Sequence, residues 1–288
     1  METGDLIKRI RKIEIKTRGL SKNVFAGEYH SVFKGRGMTF SEVREYQYGD
    51  PIRDIDWNVT ARFNKPYVKV FEEERELTVM LLIDMSGSLA IGTRMRTKRE
   101  YVAEIAAVLM FSAIQNNDKI GVVLFADKVE KFIPPQKGRK HILRVIREIL
   151  EFEPSTHGTN IPHAMQFFTN AIKRRCTAFI ISDFVDNTPL YDALSVANRK
   201  HDVIAIRVFD PIEEQLPDVG YVRMKDIETG NEMWVNTSQK SVRVHYEQQV
   251  HNRVQKFENV CMRTGVDNIK IPSNKDYVVP LMQLFKKR

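Results

Sequence analysis

The sequence predicts an α/β fold, a doubly wound, mostly parallel sheet flanked by helices, over residues 78–288. Two observations predict it: short apolar runs of strand length alternate with longer helical stretches, and those runs lack the in–out alternation of a half-exposed sheet. A third sets the boundary, because residues 1–77 have a different texture.

After an amphipathic helix from Asp5 to about Ile15 comes a stretch rich in glycine and aromatic residues with no helical period. It is read as a small, irregular, partly β appendage, too poor in apolar residues for its own core, so residues 1–77 and 78–288 are the two expected divisions. Thr78–Asp84 is the first buried strand. Thr97–Asn116 makes a helix of about five turns, nearly all apolar in its second half and therefore central. Lys119–Phe125 is a second buried strand, and Val129–Ile133 a short edge strand halted by Pro134 and Pro135. Apolar residues at 142, 143, 145, 146, 149 and 150 give Arg139–Leu150 a helical stripe. Ile161–Arg174 follows, a helix with Pro162 in its first turn, where proline is tolerated. Cys176–Ser182 is a buried strand, Pro189–Arg199 a helix and Asp202–Phe209 a strand. Tyr221–Asp226 and Glu232–Val235 flank Glu228-Thr229-Gly230-Asn231 as a β-hairpin insertion, a binding element or a part packed on the last helices. Ser241–Thr264 is helical, Asn268–Ile271 a last strand and Asp276–Phe285 a closing helix.

Composition narrows the function. With 288 residues, 42% hydrophobic and 28% charged, the chain can bury a core without disulfide or metal staples. Cys176 and Cys261 stand alone without a CxxC, which suits a reducing cytosol. The longest apolar run, Ile105–Phe111, is far short of a membrane span, and the charged amino terminus lacks a secretory pattern. A soluble, cytoplasmic protein is expected. The net charge of +8 is spread over the chain. The basic knots Arg94–Arg99, Lys173–Arg175 and Lys286–Arg288 are expected as solvated helix ends or tails, which disfavours nucleic acid.

In open parallel sheets, ligands bind beyond the carboxyl ends of the strands, where strand order reverses. The first core strand ends in Asp84-Met85-Ser86-Gly87-Ser88, and the strand from Cys176 ends at Ser182-Asp183. If the two strands are neighbours, Asp84 and Asp183 face one crevice, and the loop Ser155–Asn160 can present Thr159 beside it. Asp84, Ser86, Ser88, Thr159 and Asp183 are hard oxygen donors, suited to Mg²⁺, Mn²⁺ or Ca²⁺ rather than zinc or copper. Five such donors leave an octahedral ion short of a ligand, a place for water or for a carboxylate from another molecule. An isolated Asp-x-Ser-x-Ser would equally be a turn with a capping serine.

These five positions resemble the metal-ion-dependent adhesion site of von Willebrand factor A domains. The upstream block Gly49-Asp50-Pro51-Ile52-Arg53-Asp54-Ile55-Asp56-Trp57, with Thr60-Ala61-Arg62 and Phe71-Glu72-Glu73-Glu74-Arg75-Glu76-Leu77, is similar to the signature of the bacterial domain-of-unknown-function 58 family. Together the two resemblances cover nearly the whole chain. They imply a von Willebrand factor A-like domain and a non-enzymatic adaptor or co-chaperone of MoxR-type AAA+ ATPases, its metal accepting a partner's carboxylate. Leu89 stands where family members often have Met, a packing change.

Other readings compete. A strand ending in Asp also resembles haloacid-dehalogenase-type phosphatases, but Ser86 occupies the place of their acid–base aspartate and cannot protonate a leaving group well. Arg53, Asp54, Asp56, Trp57 and Arg62 are expected as ion pairs and an aromatic anchor pinning the appendage, with a docking surface as the alternative. His157 is expected as a turn residue and Cys176 as inert core.

Overall fold

A computed structural model describes residues 8, 10, 11, 13, 14, 16, 17, 39–72, 77–90, 97–156, 158–186, 188–225 and 232–288. It contains two compact units, one formed by residues 34–77 and the other by the rest of the chain. The described residues between 8 and 17 are helical (α1), as expected, and group with the large unit rather than with the appendage.

In the small unit, β1 (Thr39–Glu45) pairs antiparallel with β2 (Tyr67–Glu72). Between them Arg44 clasps Asp50 through two 2.8 Å hydrogen bonds. The expectation of an irregular segment misses a helix, α2 (Trp57–Phe63). Its signal is one residue, Asp56, whose carboxylate accepts from the N–H groups of Asn58 and Val59. Asn64, at φ 53°, ends it in the left-handed region. Asp56 also pairs with Lys69 at 3.5 Å, as an internal ion pair should. Trp57, however, is 67% exposed and not the buried aromatic anchor expected.

The large unit has the expected fold class. Its sheet runs β10 (Asp267–Pro272), β7 (Asp202–Phe209), β6 (Thr177–Ser182), β3 (Thr78–Asp84), β4 (Lys119–Phe125), β5 (Val129–Gln136). Every neighbouring pair is parallel except β4–β5. β3 is central, with Val79–Ile83 wholly inaccessible to solvent, as a strand covered on both faces requires. Helix α3 (Lys98–Gln115) is apolar around its circumference and buried from Tyr101 to Ala113. α1 helps cover it: Ile10 and Ile13 are buried, Lys16 pairs with Glu104, and Glu14 with Arg139.

Two boundaries differ by more than fraying. β5 continues through Pro134 and Pro135 instead of stopping before them. It is an edge strand, and the prolines occupy a bulge between the pairs Val122↔Ile133 and Ile120↔Gln136, where no ladder N–H is needed. Opposite the bulge stands Gly121, where a Cβ would meet the Met80 sulfur at 2.6 Å. α4 (Arg139–Glu151) agrees with expectation, but α5 (Ile161–Ala171) ends three residues early, capped by Ile172. The other elements, α6 (Tyr191–Lys200), β8 (Tyr221–Lys225), β9 (Glu232–Asn236), α7 (Lys240–Thr264) and α8 (Val278–Lys287), agree within about two residues. β8 and β9 form the expected antiparallel hairpin.

Candidate metal centre

Because β3 lies between β4 and β6, the carboxyl ends of three adjacent strands deliver the expected residues to one edge of the sheet. Asp84 ends β3 and is buried. One carboxylate oxygen accepts from the Ser86 N–H at 2.9 Å, and the other from the Ser182 hydroxyl at 2.6 Å. Ser182 Oγ in turn accepts from the Phe184 N–H at 3.0 Å. The N–H of Met85 donates to the Phe125 carbonyl, tying the loop to β4. Beyond it, the turn at Gly87 sets the Ser86 and Ser88 hydroxyls 3.1 Å apart. Asp183, buried just past β6, accepts from the Val185 N–H at 3.1 Å.

Thr159 arrives differently. Asn160 donates its N–H to the Ala126 carbonyl just past β4 and caps α5 through its side chain, so Thr159 sits half-buried at the same sheet edge. Among the described residues it makes no hydrogen bond to the other four. A Cβ on Gly158 would lie 2.1 Å from Asp127 Oδ1, the end of an exposed side chain that can move aside. His157 lies outside the described residues.

The electrostatics are those of crowded buried carboxylates. Burial, and then the charge of Asp183, push the Asp84 carboxyl up to about 7. One cation already answers this crowd, and it corrects an expectation. Lys98, in the basic run expected as a solvated helix end, is buried with its ammonium 3.6 Å from Asp183 Oδ2 and 2.5 Å from Glu213 Oε2. Glu213 belongs to a helical turn after β7, Pro211–Glu214, held by a capping box with Asp210. The Arg207 guanidinium donates to the Asp183 carbonyl at 3.2 Å and to Glu214 at 2.7 Å.

Lys98 and Ser182 are the residues of the candidate site that sequence reasoning missed. A lysine in the first turn of α3, just after the N-cap Thr97, opposes the helix dipole and so signals an acidic partner. Ser182 had only its place before a strand-terminal aspartate.

Two carboxylates and two adjacent hydroxyls, with a threonine at the same edge, fit a hard divalent cation. Among the described residues no group of three or more His, Cys, Asp or Glu could hold a metal, so the hydroxyls are indispensable to this donor set. A second pairing, Cys176 Sγ 3.3 Å from His201 Nδ1, has the form of a nucleophile and its base. Burial pushes the thiol up to about 12 and the imidazole down to about 4, so both stay neutral and neither activates the other.

Residues 42–256 match a family model described as a protein of unknown function, DUF58. An uncharacterised protein of Mycobacterium tuberculosis is 32% identical over 223 residues, covering 77% of this chain and 70% of that protein. The uncharacterised protein YeaD of Bacillus subtilis is 28% identical over 109 residues, 38% of this chain and 25% of its own. Among solved structures, an aerotolerance-related membrane protein from Bacteroides fragilis superposes with a TM-score of 0.51 at 15% identity, over 73% of this chain and 97% of that one, a likeness of fold alone. Among the described residues no helix of this chain is long and apolar enough to cross a membrane.

Proposed function

The chain belongs to the DUF58 family, and from that premise we propose that it is a divalent-metal-dependent protein-binding module without catalytic activity of its own. The observation that supports this most is the convergence of Asp84, Asp183 and the Ser86–Ser88 hydroxyl pair at the carboxyl edge of three adjacent strands. Bound there, Mg²⁺, Mn²⁺ or Ca²⁺ would supply a positively charged coordination position that a partner's Asp or Glu completes.

The chain's own groups prepare the place. Ser182 and the Ser86 N–H hold both oxygens of Asp84, so its orientation is set in advance. The Val185 N–H does the same for one oxygen of Asp183, while Lys98 holds the other. Ser86 and Ser88 offer neutral oxygens, so charge at the site is contributed by the carboxylates alone. Thr159 is assigned as the fifth donor from its place on the same edge. Within this reading the partner is an AAA+ ATPase of the MoxR type, on the family resemblance, with the chain as its adaptor or co-chaperone.

Calorimetric titration of the full chain with Mg²⁺ and Mn²⁺ tests the site. One binding event is expected, abolished by Asp84→Ala and weakened by Ser86→Ala and Thr159→Ala, with circular dichroism unchanged. Equal binding by Asp84→Ala rejects the site. Capture of a purified MoxR-type ATPase in Mg²⁺, lost in chelator, tests the partner.

A further inference from the structure

The candidate metal centre opens into a cavity of about 1040 Å³ whose wall includes Ser88 and Asp183 themselves. Away from these two residues the lining is mixed, with apolar side chains set among charged and polar ones. Phe184, which directly follows Asp183, packs its ring 4.2 Å from that of Phe257 on α7. Val254, one turn earlier on α7, and Met224 and Met233 of the β8–β9 hairpin are among the other apolar residues of the lining. The hairpin therefore faces the long helix through its methionines, while Trp234 points away and is 70% exposed.

The charges around this cavity are mostly spent. Glu213 is paired with Lys98, Glu214 with Arg207 and Glu232 with Arg223. His245 is engaged by the Gln249 amide at 2.9 Å. Arg253 also lines the cavity and, among the described residues, has no ion-pair partner. Asp183 and Glu213 share the one ammonium of Lys98, so with Arg253 these groups sum to no net charge, and a divalent cation bound beside Asp183 would make that end of the cavity positive. An occupant should be apolar in its bulk and negative at the end that meets the site.

We propose that this cavity is the second half of the recognition site: it receives a protein segment bearing a Leu, Met, Phe or Trp beside the Asp or Glu that approaches the metal centre. The inference rests on the metal-dependent reading above and deepens it by naming the partner's chemistry. Continuity carries it, since residues on the cavity wall are also proposed metal donors. Charge complementarity and size agree, since a volume at the upper end of ordinary ligand pockets has room for more than one side chain. Methionines at the hairpin face are flexible and polarisable, so the cavity can adapt to different apolar side chains.

A random peptide library displayed on phage, panned on the full chain in Mg²⁺, tests the proposal. Enriched peptides should pair an acidic residue with a bulky apolar neighbour. Their labelled synthetic forms should lose at least about tenfold in affinity for Met233→Glu and Val254→Glu, the loss expected when one buried apolar side chain is expelled. Met233 is exposed, so its variant should fold and bind Mg²⁺ as the wild type does. Metal-dependent peptides that need only the acid, and ignore both cavity variants, overturn this inference and leave the metal reading standing. Peptides indifferent to chelator and to Asp84→Ala overturn both. Failure to enrich any peptide on protein that binds Mg²⁺ overturns the cavity alone.

Discussion

Replacing Lys98 by methionine removes the single charge that holds two carboxylates of different segments. The Lys98 side chain is fully buried, with Glu213 at 2.5 Å and Asp183 at 3.6 Å. At an effective dielectric of about 20, these distances correspond to gross attractions of about 7 and about 5 kcal/mol. Desolvation of the ammonium offsets much of that, and deleting one partner of a buried pair has a net effect of about 3–5 kcal/mol. Lys98→Met should therefore lose about that much stability in urea denaturation followed by circular dichroism. The variant also leaves Asp183 without its cation. If Asp183 is a metal ligand, Mg²⁺ should restore more stability to the variant than it adds to the wild type, because tighter binding to the folded state stabilises it further. A loss below about 1 kcal/mol, or the same Mg²⁺ increment in both proteins, would refute the reasoning.

Ser182→Ala deletes the hydroxyl that donates to buried Asp84 and should cost about 1.5–3 kcal/mol, read by the same denaturation. His201 is buried with its imidazole held down to about 4, so the unfolded chain binds the extra proton between about pH 6.5 and 4. Its contribution, up to about 3 kcal/mol, is present above pH 6.5 and lost as pH falls through 4, and His201→Phe should flatten that acid limb. Asp84 has the opposite sign: raised to about 7, it favours the metal-free fold below the ordinary carboxylate range and loses that contribution as pH rises through 7. Metal-free Asp84→Asn should accordingly gain stability relative to the wild type above pH 7, measured across a pH series of melts. Gly121→Ala should cost about 1–3 kcal/mol by overpacking against Met80 and Pro135, checked by thermal melting.

How much of this was legible depended on the range of the cause. β3, β4 and β7 have the bounds read from sequence, because each is a mainly apolar run of strand length bracketed by polar residues. The meeting of Asp84 and Asp183 was legible conditionally, and the adjacency of β3 and β6 supplied the condition. α2 was hidden because seven residues are too few to show a period, and its one cap was read as part of a charge cluster. Lys98 was misread because its neighbours in sequence are basic, while its partners come from beyond β6 and β7. Local charge says nothing about what a distant strand end brings. The extension of β5 through its prolines depended on its being at an edge, a fact that belongs to the sheet and not to the segment.

That edge has a consequence for assembly. Two successive prolines carry no N–H, so this stretch of β5 cannot donate to a further strand, and the bulge they occupy breaks the regular register. Pairing of two copies along β5 into a continuous ribbon is therefore disfavoured. Self-association on that flank, and the aggregation that begins there in less guarded proteins, is discouraged by the backbone itself.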